Sequence, residues 1–176
     1  MALTVYVPQW YLEEDEAVVA LGDQLSTWLV FYESARWDRP PDHPQRLVGA
    51  ARTIPMWPGA ERGRHPTVIE VGGAPIYWDA PEPTNGPVEV TGTVCANDQD
   101  APDDFPPTDG VVTRVRMVWQ DYRPGENHVW YPVPGTTRYE DLDSSYLPHL
   151  DLTDPTARVV WTGVLVDLDV TGSQPS

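Results

Sequence analysis

The chain has no lysine. All eleven basic residues are arginine, they face 27 acids, and the formal net charge is −16 over 176 residues. A field of that sign repels the phosphate backbone of DNA or RNA, which counts against a nucleic-acid partner. Cysteine is almost absent too. With Cys95 alone, an intrachain disulfide and a thiolate metal cage are both excluded, and a reducing cytoplasm is the expected location. The first arginine is Arg36, so no basic leader stands at the N-terminus, and no apolar run approaches the length of a membrane span. Phenylalanine is scarce, two residues against eight Trp and eight Tyr. Rings with an N–H or O–H need a polar partner, which favours barrel rims, interfaces and ligand walls over a dry interior.

Catalytic signatures are lacking as well. The chain carries no Gly-x-Ser-x-Gly elbow, no phosphate loop ending in Gly-Lys-Ser/Thr, no His-Glu-x-x-His and no dinucleotide fingerprint. His43, His65, His128 and His149 are widely spaced. Cys95 alternates away from Val94 and has no identifiable base beside it, so it reads as a small buried residue, not a nucleophile. No cofactor is implied.

What is present is a set of strands. The cleanest runs over 158–171, where Val160, Val164, Val166, Leu168 and Val170 alternate with Val159, Trp161, Leu165, Asp167 and Asp169. Gly163 in its middle marks a bend or the close approach of another backbone. The stretch 88–94 repeats the pattern around Gly92, and two bent strands with a central Gly predict a small coiled barrel. Other strands are expected over 3–7, 24–33, 46–54, 67–71, 74–78, 111–120 and 127–131. Gly72-Gly73 makes a hairpin of two of them, and Pro75 puts the second at a sheet edge. Along 24–33, Leu25, Leu29 and Phe31 oppose Trp28, Val30 and Tyr32. Along 111–120, Val111, Val115, Met117 and Trp119 face in, with Arg114, Arg116 and Gln120 outward. A short helix is expected over 12–21, fronted by Glu13 and Glu14 and closed by Gly22, and one or two helical turns over 139–147. The sum is an all-β fold, a small coiled barrel of OB-like or SH3-like type with long Pro-rich loops and at most one or two short helices. Residues 1–176 read as one domain. The rigid connector 79–87 could divide it into an N-terminal β part, 1–79, and a C-terminal barrel core, 87–171.

Two segments could carry function. Between 34 and 66, six arginines face three acids, Asp38, Asp42 and Glu61, in a chain that is otherwise acidic. Arg36, Trp37, Arg39, Trp57, Arg62 and Arg64 are the candidate surface for an acidic or anionic partner. The loop 97–109 carries Asp98, Asp100, Asp103 and Asp104, oxygen ligands that suit a hard cation such as calcium, although Pro102 and the absence of a closing Glu break the EF-hand pattern.

The strand around Val5-Tyr6-Val7 with Trp10, the turn Leu21-Gly22-Asp23-Gln24-Leu25 and the Thr-Gly strands near 88–94 and 158–170 resemble small actinobacterial proteins grouped as a domain of unknown function. Members of that group have cysteines just after the Trp. Tyr11, Leu12, Glu13 and Glu14 stand there in this chain, so a metal or redox role tied to those cysteines does not carry over. The resemblance implies a class and no activity. The leading expectation is a non-catalytic binding module for a protein partner. The alternatives are a metal-binding protein or cation-dependent enzyme using the Asp-rich loop, and an acidic nucleic-acid mimic.

Overall fold

The computed structural model describes residues 2–14, 18–33, 43–97, 99–126, 129–145 and 159–170. Its elements in chain order are β1 (Ala2–Pro8), α1 (Gln9–Glu14), β2 (Gln24–Thr27), β3 (Leu29–Glu33), β4 (Gln45–Thr53), β5 (His65–Val71), β6 (Ala74–Ala80), β7 (Gly86–Ala96), β8 (Thr108–Pro124), β9 (Trp130–Pro132), β10 (Arg138–Leu142) and β11 (Val159–Val170).

The fold is an all-β barrel. Five strands close on themselves: β4, β5 and β6 form a meander, β6 lies parallel to β3, β3 pairs antiparallel with β7, and β7 returns antiparallel to β4. Taken from β4, this is the pairing order of an OB barrel, with the strand usually last supplied from the front of the chain. A second sheet branches from it as β1, β11, β8 and β10, entered where β1 runs parallel to β7 at Val5–Val94 and Tyr6–Cys95. The barrel core expected over 87–171 is thus corrected. The ring is built from residues 29–96, and the two Gly-centred strands β7 and β11 do not touch, because β1 lies between them.

Gly92 is the branch point. Residues 86–92 of β7 pair with β4, residues 92–96 pair with β3, and β1 takes over the side that β4 leaves. A Cβ at Gly92 would overlap the Tyr32 carbonyl oxygen and the Phe31 ring, so only Gly permits this close approach. The side-chain amide of Gln45 ties the parting strands together, accepting from the Thr4 N–H at 3.2 Å and donating to the Thr4 carbonyl.

The long strand β11 matches its expected span, and its bend is a bulge. Trp161 pairs with Trp119 and Gly163 with Val118, so one residue is extra. The bulge flips the alternation: Trp161 joins Val164, Val166, Leu168 and Val170 in the main core instead of opposing them. Tyr6 donates its O–H to the Thr162 carbonyl at 2.6 Å, and the Trp161 indole donates to the Gly163 carbonyl at 2.7 Å. A second irregularity at Thr113 places Val112 and Val115 together in the core, where Val111 was expected.

The main core lies inside the folded sheet and draws Val5, Leu29, Phe31, Ile69, Ile76, Val94 and Met117 from six strands. A second cluster, Tyr6, Val30, Tyr32, Val68, Tyr77, Cys95, Val118 and Leu165, sits on the opposite faces of the same strands and is covered by Ala101 and Phe105. The expected division of Leu25, Leu29 and Phe31 from Trp28, Val30 and Tyr32 follows these two clusters, and buried Cys95 belongs to the second.

Several local expectations are corrected by pairing. The stretch 24–33 is two strands broken at Trp28, since β2 pairs with β8 and β3 with β7. The helix occupies Gln9–Glu14, so Glu13 and Glu14 end it instead of leading it, and Ala20 bridges to Ser144. Residues 138–142 form β10, not helical turns, because β8 offers them a free edge from Val115 to Trp119. Pro75 does not mark an edge: β6 is interior, and Pro75 precedes the Tyr77–Trp78 pairs with β3. Gln120 turns inward and donates to the Val133 carbonyl at 2.7 Å. Arg116 and Asp167, both expected in water, form a half-buried pair at 2.5 Å, to which Thr4 adds a hydroxyl bond at 2.9 Å. The hairpin at Gly72-Gly73 holds, with φ of 58° and 89° as a type I′ turn requires.

Gly92→Ala should lower unfolding free energy by about 2 to 3 kcal/mol, because the new methyl meets backbone and a core ring that cannot yield. Gly22→Ala, at positive φ but in open space, should cost about 1 kcal/mol. Urea titration of both variants checks the contrast.

Candidate binding site

The parallel ladder between β3 and β6 is only two pairs long, Val30–Tyr77 and Phe31–Trp78. Beyond it the strands part: Tyr32 and Glu33 follow β7, while Asp79 and Ala80 follow β5. A cavity of about 190 Å³ occupies this seam, walled by Val30–Glu33, Trp78, Asp79 and Asp100, with Gly59, Glu61 and Arg64 from the loop 54–64.

Four of the walls are carboxylates and one is a guanidinium. Arg64 pairs with Glu33 at 3.2 Å. Asp100 accepts from the Tyr32 phenol at 2.6 Å, and that phenol accepts from the Asn97 amide at 2.9 Å. Asn97 in turn accepts from the N–H groups of Gln99 and Asp100, an Asx turn that shapes the Asp-rich loop. Asp79 accepts the Tyr77 O–H at 2.8 Å and the Glu61 N–H at 3.4 Å. Among the described residues no cation pairs with Asp79. Burial lifts its carboxyl above the ordinary aspartate range; the two hydrogen bonds oppose this, and the charges of Glu61 and Asp100 push it further up. The indole N–H of Trp78, whose ring packs in the main core, has no acceptor among the described residues.

Tyr77 links this cavity to a second one. Its phenol accepts the Trp57 indole N–H at 2.7 Å while donating to Asp79, and burial raises its pKa far above the ordinary tyrosine value. Trp57 and Phe105 each meet the Tyr77 ring edge to face, at 6.0 and 5.8 Å. The second cavity, about 400 Å³, is lined by Ile54–Trp57, Arg52 and Val68 on one side and Pro102, Asp104, Phe105 and Pro106 on the other.

Of the residues singled out from sequence, the structure describes Trp57, Arg62, Arg64, Asp100, Asp103 and Asp104. Arg36, Trp37 and Arg39 lie outside the described residues, Arg62 is exposed, Arg64 serves Glu33, and the Trp57 indole is spent on Tyr77. Of the other described arginines in that segment, Arg46 pairs with Glu89 at 2.7 Å and Arg52 is exposed. Asp98 lies outside the described residues; Asp100 is turned to Tyr32, and Asp103 and Asp104 are exposed. Among the described residues no three potential ligands gather to hold a metal ion. His43 stacks edge to face with Tyr139 at 5.4 Å, and His128 and His149 lie outside the described residues. Asp79, Tyr77, Tyr32 and Glu61 had no motif to announce them. The one signal was a carboxylate closing the aromatic strand Ile76-Tyr77-Trp78, which reads equally well as the start of a loop. No helix among the described residues is long and apolar enough to cross a membrane. No protein-family model, curated protein or solved structure matches this chain.

A carboxyl whose folded pKa lies above its unfolded one binds more protons in the native state, so stability falls as pH rises through that window. Asp79→Asn removes this penalty and keeps an acceptor for Tyr77. The variant should equal or exceed the parent in thermal stability at pH 7, and the difference should shrink as pH falls toward the ordinary aspartate range. Melting curves of both proteins across pH 4 to 7 measure it.

Proposed function

We propose that the chain is a non-catalytic binding module that recognises a basic protein partner by admitting a cationic side chain to the Asp79 cavity. The observation that carries this reading is Asp79 itself, a half-buried carboxylate with no cationic partner among the described residues, set beside two further acids. A guanidinium or ammonium entering there gains from the Asp79 charge in a partly desolvated site, where it acts more strongly than in water. The Tyr32 ring, whose phenol bonds Asp100 in the wall, favours a cation over a neutral group. The net charge of −16 favours encounter with a basic partner and disfavours a polyanion. OB barrels host many unrelated ligands, so the barrel as such supports no particular one. A cytoplasmic setting suits the single buried thiol of Cys95.

The test is titration with a capped pentapeptide, Ser-Ser-Arg-Ser-Ser, followed by the backbone amide signals in two-dimensional NMR. The Asp79 signal should shift, affinity should fall steeply with added salt, and Asp79→Asn should weaken binding about tenfold, the loss of one charge-assisted contact. Equal binding by the Asn variant, or no movement of the Asp79 signal at any peptide concentration, refutes the proposal.

A further inference from the structure

The Asp79 cavity and the Trp57–Phe105 cavity have the same two walls. The loop 54–64 supplies Ile54–Trp57 to one and Gly59, Glu61 and Arg64 to the other, and the loop 97–107 supplies Phe105 to one and Asp100 to the other. Only the turn closed by the Ala60 N–H on the Trp57 carbonyl, 3.1 Å, separates them on the first loop. Across the floor the separation is two hydrogen bonds, Trp57 to Tyr77 at 2.7 Å and Tyr77 to Asp79 at 2.8 Å.

The chemistry of the two compartments differs sharply. One is acidic around Asp79. The other is lined mainly by Ile54, Met56, Trp57, Val68 and Phe105, with Arg52 and Asp104 also in its lining and Met56 left 65% exposed. An exposed methionine beside prolines and aromatic rings is a soft, adaptable apolar surface. In an extended peptide, residues i and i+2 point the same way and stand about 7 Å apart, a spacing that suits two compartments divided by a single phenol.

We infer that the two cavities work as one cleft for an extended segment of a basic partner. The cationic side chain enters beside Asp79, and an apolar side chain two residues away enters between Trp57 and Phe105. This rests on the cation-binding reading of the Asp79 cavity and adds to it a sequence requirement, a basic residue and an apolar one in i, i+2 register. Charge selects the partner: the acids around Asp79 and the chain's net charge both call for a positive segment. The apolar compartment then discriminates among basic segments, as buried area can and long-range charge cannot.

Three capped pentapeptides of equal charge separate the ideas: Ser-Arg-Ser-Leu-Ser, Ser-Arg-Leu-Ser-Ser and Ser-Arg-Ser-Ser-Ser. Calorimetry or NMR titration should rank the first at least tenfold tighter than the other two. Met56→Glu, a change at an exposed position that leaves the fold intact, should erase that advantage while the leucine-free peptide binds as before. If all three bind alike and Asp79→Asn weakens them equally, the joint cleft is wrong and the Asp79 cavity stands. If none binds, the cation-binding reading fails first. A dimer in sedimentation that dissociates on Met56→Glu assigns the apolar compartment to a second copy of the chain and overturns the inference.

Discussion

The structure depends on one backbone contact, that of Gly92 against Tyr32. A single strand, β7, has to serve two sheets. Its first half closes the barrel against β4, and its second half turns away to receive β1. Such a turn brings β7 so close to β3 that no side chain fits between them. Gly163 does the same for the second sheet, where a Cβ would overlap the Val7 carbonyl of β1. Both glycines let strands coil more tightly than side chains allow, and the coiling lets the barrel and the sheet that branches from it share one continuous ladder with two apolar faces.

The seam follows from that closure. A ring of five strands closed by one parallel pair has its weakest ladder there, two residue pairs between β3 and β6. Strands that diverge after so short a ladder leave a gap at their ends, and the residues at the gap are whatever ends each strand. In this chain those residues are acids, Glu33 and Asp79. Placing Asp79 half inside, next to Glu61 and Asp100, costs stability. Tyr77 and the Glu61 N–H offset part of the cost with hydrogen bonds. On the proposed reading, that unfavourable charge is met by a ligand of the opposite sign.

Much of the strand inventory was legible because period-2 alternation survives in the sequence. The 24–33 stretch displayed both clusters correctly, with Leu29 and Phe31 on one side and Val30 and Tyr32 on the other, and Gly72-Gly73 announced its hairpin through φ alone. Errors came where a partner overrode local preference. Residues 139–142 have helical composition, yet the exposed edge of β8 makes them a strand. The bulge at Gly163 moved Trp161 to the other face, which no count of alternation reveals without the neighbouring strand. For the candidate site the sequence drew attention to six arginines near Trp37 and Trp57, whereas the cavity beside that segment is walled by four carboxylates from four separate stretches, which no local motif marks.

Residues 1–176 by themselves determined the class of architecture: an acidic, lysine-free, strand-rich chain with glycines at the two places where strands must bend, because those properties are carried by local pattern and by backbone freedom at single positions. Only the tertiary structure decided which strands close the barrel, since β3, β6 and β7 lie far apart in the chain and their pairing leaves no local trace. It also decided the site. Glu33, Glu61, Asp79 and Asp100 are ordinary surface acids until the parting of β3 and β6 and the crossing of two loops bring them within one cavity, where burial and mutual repulsion change what Asp79 can bind.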